Sequence, residues 1–280
     1  MKKPQWIVAG TALLLTFGLY ALTQNQIFGY NLKKSVPNNS SPATSVTIDT
    51  ILHHAKENLT AEQAARITVL ENRISDSGTQ TTHLYHQLAR YWADTARVFE
   101  PYAWYMAEAA RLENSEKSLT FAAHLFLNSL RGEETVELKK WKGLQAKDLF
   151  ERSLKINPAN DSAQVGLGAT YLYGNVSANP MEGILKIRQV AERDTTNVYA
   201  QMLLGQASIV SGQPDKAIER FIKVVQLQTH NLEAILSLAD VYERKGSKKE
   251  AILWYKKSLP LINIAGLKKE VELRIAELSK

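Results

Sequence analysis

The sequence predicts an all-α protein in which helical hairpins stack side by side. Near the C-terminus one residue pattern recurs with a shift of 34 residues, since Ala217 returns as Ala251 and Phe221 returns as Tyr255. A hairpin of this size cannot bury its own apolar face, so it is stable only in a stack of similar hairpins. The chain has 280 residues, 45% of them hydrophobic, which suffices for a core of this kind.

Small residues indicate where the two helices of each hairpin cross closely. Gly168, Gly205 and Ala239 each follow a leucine in the predicted first helix. Gly212 and Gly246 fall between paired helices, where a left-handed backbone ends the first helix. This arrangement predicts repeats at 161–197, 198–231 and 232–263.

The 34-residue period and the order of small and large residues resemble the tetratricopeptide repeat (TPR) family. The resemblance implies a right-handed superhelical solenoid of helical hairpins with a concave binding surface. Degenerate copies extend the repeat region to 81–263, about five hairpins in all. In one of them, a helix carrying Ala146 and Phe150 pairs with Ser118–Leu130, across an unusually long connection from Arg131 to Gly143.

Helical segments are also predicted at both ends of the repeats. Residues 48–80 form an N-terminal helical segment, in which Thr60-x-x-Gln63 has the spacing of a capping box. Residues 264–280 form a C-terminal capping helix, because Leu267, Val271 and Ile275 share one helical face.

An uncharged run at residues 6–22 predicts a transmembrane helix. Its 17 residues follow a basic flank at 1–5 and would reach roughly 26 Å as a helix, within the lower range for a membrane span. A cleaved signal peptide is the alternative, but the run lacks a small-residue cleavage motif, which favours a signal-anchor. Residues 23–47 are rich in Asn, Ser and Pro and predict a flexible linker.

The charges beside this run suggest which side of the membrane holds the repeats. Lys2 and Lys3 lie close to the apolar run, whereas Lys33 and Lys34 lie farther from it. The positive-inside rule therefore favours a single-pass inner-membrane protein whose repeats are periplasmic or otherwise extracytoplasmic. The absence of cysteine agrees with an oxidising compartment but does not require one.

Motifs for catalysis, metal binding or cofactor binding are missing from the sequence. His53-His54 and His83-x-x-His86 do not match a zinc motif, and no cysteine can complete one. Gly166-Leu167-Gly168 lacks the third glycine of a dinucleotide site. We therefore expect no enzyme, no metal, no cofactor and no small-molecule substrate. The net charge of +6 indicates solvated helix faces, since glutamates alternate with the lysines, and we expect no nucleic-acid partner.

The resemblance implies a peptide-binding groove on the inner faces of the first helices. The implied groove residues are Val165, Ala169 and Leu172, then Tyr199, Met202, Gln206 and Ile209, then Glu233, Leu236, Asp240 and Glu243. This groove is apolar with an acidic end, so it suits a peptide or helix segment of another protein. The expected function is a membrane-tethered scaffold or adaptor in cell-envelope protein assembly. Alternatives are a self-association module, or an assembly factor for cytochrome c or outer-membrane proteins.

Overall fold

The structure, a computed structural model, describes residues 46–76, 80–177 and 179–280. These residues form α-helices, with one π-helical and one 3-10 segment, and no β-strand. The helices are α1 (Ile48–Glu57), α2 (Ala61–Asp76), α3 (Thr81–Tyr91), α4 (Phe99–Glu113), α5 (Glu116–Leu130), α6 (Val136–Ile156), α7 (Asp161–Tyr173), α8 (Pro180–Arg193), α9 (Val198–Val210), α10 (Pro214–Leu227), α11 (Leu232–Arg244), α12 (Lys248–Ser258) and α13 (Ala265–Leu278).

Consecutive helices pair as the repeat pattern predicts. The pairs α3–α4, α5–α6, α9–α10 and α11–α12 are in extensive contact. Helix α8 approaches α7 at a glycine, where a Cβ on Gly183 would lie 2.4 Å from the carbonyl oxygen of Gly168. Of the described residues, 46–186 form one compact unit and 187–280 another. We call them the N-terminal and C-terminal units.

In the N-terminal unit, the first two helices pack on the first hairpin. Helix α1 contacts α4, and α2 contacts α3. The predicted capping box is present, since the Thr60 amide donates to Gln63 Oε1 at 3.0 Å and the Gln63 amide donates to Thr60 Oγ1 at 3.2 Å. The predicted helical segment therefore continues the helix stack at its N-terminal side.

The predicted long connection from Arg131 to Gly143 is wrong. Helix α6 begins at Val136, so the connection is five residues, 131–135. The cause is a buried ion cluster: Lys142 Nζ lies 2.9 Å from Glu100 Oε1 and 2.9 Å from Glu133 Oε2. All three side chains are almost fully buried. Because a buried charge is stable only with its partners, this cluster fixes the first turns of α6 against α4 and the connection.

In the C-terminal unit, close helix packing explains the predicted small residues. A Cβ on Gly205 would lie 2.5 Å from the Phe221 ring, so α9 and α10 approach each other through this glycine. Gly212 and Gly246 have φ angles of 69° and 80° and end their helices in the left-handed conformation, as predicted. A helix, α13, follows the last hairpin, and its Leu267 and Val271 are buried.

Asparagine caps mark the start of three first helices. The side-chain oxygens of Asn160, Asn197 and Asn231 accept hydrogen bonds from backbone amides two to three residues into α7, α9 and α11, at 2.9, 3.0 and 2.9 Å. Each cap satisfies a backbone donor that would otherwise lack a partner. These asparagines recur at almost the repeat spacing and are a further sequence signal of the hairpins.

No helix in the described ranges is long and apolar enough to cross a membrane. The predicted span at 6–22, its basic flank and nearly all of the linker lie outside the described residues. Membrane anchoring therefore stays a prediction from sequence.

Candidate binding surfaces

In the C-terminal unit, three of the predicted groove residues are buried. Met202, Leu236 and Asp240 are 6%, 5% and 6% exposed. Met202 belongs to a core cluster with Phe221, and Leu236 to one with Tyr255. These apolar side chains thus lie beneath the surface of α9 and α11 and hold the hairpins together, so they cannot serve as primary contacts for a partner.

The accessible part of this surface runs along α9 and includes the first turn of α11. Tyr199 of α9 is 37% exposed. Glu233, at the equivalent position of α11, is also exposed. Gln206 Nε2 donates a hydrogen bond to Glu233 Oε1 at 2.8 Å and so links the two helices. Ile209 is half-buried at the far end of α9. We call Tyr199, Gln206, Ile209 and Glu233 the α9–α11 surface.

The predicted acidic end is engaged by the capping helix. Arg274 of α13 donates from Nε to Glu243 Oε2 at 3.0 Å and makes a second contact with Glu243 Oε1. The Tyr255 hydroxyl lies 3.0 Å from the same carboxylate. Glu243 is therefore already neutralised within the chain.

Asp240 lies behind Glu243 as a buried acid. Its Oδ1 accepts a hydrogen bond from the Tyr255 hydroxyl at 2.8 Å, whereas Oδ2 has no hydrogen-bond partner among the described residues. Burial raises the pKa of Asp240 to about 6, against the smaller lowering effects of the Tyr255 hydrogen bond and of Arg244 and Arg274. This carboxyl is a core group rather than a contact for a basic flank.

In the N-terminal unit, the predicted groove residues of α7 are mostly core residues. Val165 and Ala169 are fully buried, and Leu172 is half-buried. Where α5 meets α7, His124 Nε2 lies 2.9 Å from Ser162 Oγ. Burial lowers the pKa of His124 to about 4, which keeps the imidazole neutral at pH 7.

Sequence reasoning missed an aromatic residue on this part of the molecule. Phe121 of α5 is 45% exposed and lies one turn before His124, on the same side of the helix. The sequence places Phe121 three residues before His124 in an apolar helix, and this spacing was the only signal that the two side chains share one side of α5. The repeat pattern of α5 is too degenerate to show which of its apolar residues is exposed.

The described residues include one group with donor atoms close enough for a metal ion. His53, His54 and Glu57 of α1 each offer one such atom, and these atoms lie within 4.8 Å of one another.

The helices form an all-α helical-repeat fold, and a comparison with known families matches one of its hairpins. Residues 232–261, which contain α11 and α12, match the tetratricopeptide repeat family. No protein in a search of curated sequences matches the chain.

Solved structures with a similar fold include several tetratricopeptide proteins. A thermophilic TPR protein of Thermus thermophilus is 15% identical, with a TM-score of 0.50, and the match covers 70% of this chain and 98% of that one. MamA from Desulfovibrio magneticus is 21% identical over 64% of this chain and 94% of its own, with a TM-score of 0.46. YrrB, described as a TPR protein with an unusual peptide-binding site, is 16% identical over 72% and 97%, with a TM-score of 0.43. The match to the Thermus thermophilus protein, at this identity, shows the fold alone, an all-α helical repeat.

Proposed function

We propose that the protein is a tetratricopeptide scaffold or adaptor that binds a peptide or helix segment of another protein on the α9–α11 surface. The observation that carries this proposal is the partly exposed Tyr199 on α9, the helix that Gln206 links to Glu233 of α11 by a hydrogen bond. Aromatic side chains that are partly exposed next to fixed polar groups are typical contacts in protein interfaces. The buried Met202 and Leu236 support this surface from below.

The expected partner segment is extended or helical, with an apolar side chain for Tyr199 and a basic residue for Glu233. An apolar segment gains free energy by covering the tyrosine ring, and the Glu233 carboxylate selects a cation at the flank. Asp240 and Glu243 do not take part, because one is buried and the other is bound to Arg274.

A crosslinking pull-down with the full-length, membrane-inserted chain tests this surface. The Tyr199→Ala and Glu233→Lys double variant should lose the partner that the unaltered chain recovers. A matched control is Leu253→Ala on α12, which also removes an exposed apolar side chain and should retain the partner. Recovery of the same partner by the double variant would refute the α9–α11 surface as the binding site.

The oligomeric mass of the same variants separates partner binding from self-association. Substitutions at the α9–α11 surface should leave the mass unchanged if that surface binds another protein. A change in mass together with loss of the partner would favour the self-association module instead.

We also propose that residues 6–22 tether this scaffold to the inner membrane, with the repeats outside the cytoplasm and a role in cell-envelope protein assembly. The uncharged run and its flanking lysines support this proposal. Alkaline extraction of membranes should leave the full chain in the pellet, and protease added to spheroplasts should digest the repeats. Extraction of the chain by alkali would contradict the membrane tether. Protection of the repeats from protease would contradict their placement outside the cytoplasm.

A further inference from the structure

We propose that α1 carries a binding site for a divalent transition-metal ion such as Zn²⁺, formed by His53, His54 and Glu57. Two imidazoles and one carboxylate make up a donor set that Zn²⁺ accepts, usually with a fourth position left to water or to another ligand. Imidazole nitrogens disfavour Mg²⁺ and Ca²⁺, which take oxygen ligands.

The spacing of the three residues along α1 brings their side chains together. His53 and Glu57 are four residues apart, and His54 and Glu57 are three apart, so each histidine is a neighbour of Glu57 on the helix surface. The two imidazole rings lie 5.8 Å apart between centroids. His53 Nδ1 lies 3.3 Å from Glu57 Oε1, and His54 Nδ1 lies 3.1 Å from Glu57 Oε2. Both histidines thus direct the same ring nitrogen at one carboxylate.

These distances fit the edges of a metal coordination polyhedron. For metal–nitrogen bonds of about 2.0–2.1 Å at tetrahedral angles, neighbouring ligand atoms lie about 3.3 Å apart. Each histidine nitrogen lies at about this distance from one oxygen of Glu57, His53 from Oε1 and His54 from Oε2. One donor atom from each of the three residues lies within 4.8 Å of the other two. A small rotation of the imidazoles closes the remaining edge, because His53 and Glu57 are 72% and 55% exposed and can turn.

The protonation chemistry of the cluster is compatible with metal binding. An imidazole with its hydrogen on Nε2 presents a lone pair on Nδ1, and the adjacent carboxylate supplies a negative charge. The nearby Lys56 does not oppose the ion directly, since its Nζ lies 2.6 Å from Glu71 Oε2 on α2.

Another histidine of the N-terminal unit provides a matched control. His86 Nε2 lies 2.7 Å from Glu113 Oε1, so it has a carboxylate partner and similar exposure, 42%, but belongs to no group of three donors. A metal that bound any histidine–carboxylate pair would use this pair as readily as the α1 cluster.

Isothermal titration of the full chain with Zn²⁺ alone tests the proposal. We expect one ion per chain, and a loss of affinity of about tenfold or more for His53→Ala, His54→Ala or Glu57→Gln. His86→Ala should bind as the unaltered chain does. Circular dichroism of each variant checks that helix content is unchanged, so that a loss of binding reports the ligands rather than unfolding.

Co²⁺ provides a second readout, because tetrahedral nitrogen and oxygen ligation gives visible absorption bands that Zn²⁺ should abolish by displacement. Absence of saturable Zn²⁺ binding would overturn the proposal. So would binding that survives the combined His53→Ala and His54→Ala substitutions, or binding that His86→Ala removes.

Discussion

The two compact units bury ionisable groups in different ways. In the N-terminal unit, Lys142 lies between two carboxylates at 2.9 Å from each, so its charge is compensated within the core. In the C-terminal unit, Asp240 accepts a hydrogen bond from the neutral hydroxyl of Tyr255, and its pKa is raised to about 6. The comparison teaches that burial acts together with the partner that an ionisable group meets. Lys142 has two partners of opposite charge, whereas the hydrogen-bond donor of Asp240 is neutral and burial raises the pKa of its carboxyl.

Removing the buried charge of Lys142 should have the largest effect on stability. Lys142→Met leaves Glu100 and Glu133 buried without their compensating charge, so the free energy of unfolding should fall by about 3–5 kcal/mol. Urea unfolding followed by circular dichroism at pH 7 measures this loss. Lys147→Met is the control, because Lys147 lies 3.8 Å from Glu151 on a partly exposed face and should cost no more than about 1 kcal/mol. Equal losses for both variants would show that the buried cluster adds nothing.

Acidification should weaken the N-terminal unit through His124. The pKa of its imidazole is about 4 when folded and 6.5 when exposed, so its contribution is complete above pH 6.5 and is lost as the pH falls towards 4. The shift corresponds to about 3 kcal/mol. Hydrogen exchange resolved by mass spectrometry should show faster local opening of α5 at about pH 4.5 than at pH 7, after correction for intrinsic rates. His124→Gln should remove most of this dependence, and an unchanged dependence would point to other groups.

The C-terminal unit should respond to pH with the opposite sign. Asp240 has a pKa of about 6 when folded and 3.8 when exposed, so stability is greatest below pH 3.8 and declines as the pH rises through 6. This change amounts to about 3 kcal/mol at most. Asp240→Asn keeps an acceptor for Tyr255 and cannot ionise, so the variant should gain stability over the unaltered chain at pH 7 and little at pH 4. Hydrogen exchange in α11 measures both differences. A variant that is less stable at pH 7 would contradict the assignment of an ionised, poorly paired Asp240.

The hairpins could be predicted from sequence because their main determinant is local. A glycine such as Gly205 is required where a Cβ would collide with Phe221, a residue of the same hairpin. The start of α6 could not be predicted in this way. Lys142 looks like a surface residue in a sequence, and its burial depends on Glu100, which lies 42 positions earlier.

For the candidate surface, the sequence predicted which side of the first helices each residue lies on but not how exposed it is. The repeat register places Met202, Leu236 and Tyr199 on the same side of the first helices, but it does not say how closely neighbouring hairpins pack. Packing buries Met202 and Leu236 and leaves Tyr199 partly exposed. Likewise, the acidic end was predicted from Asp240 and Glu243, whereas the cation that neutralises Glu243 comes from α13, outside the repeats.

The last residue of α9 gives the molecule a natural attachment point for a spectroscopic probe. Val210 is 87% exposed, and it directly precedes the turn that contains the left-handed Gly212. Because the chain has no cysteine, Val210→Cys would create a single thiol that a fluorophore or spin label can modify selectively. A probe there would sit at the edge of the turn and at the opposite end of α9 from Tyr199, so it would leave the exposed face of Tyr199 uncovered.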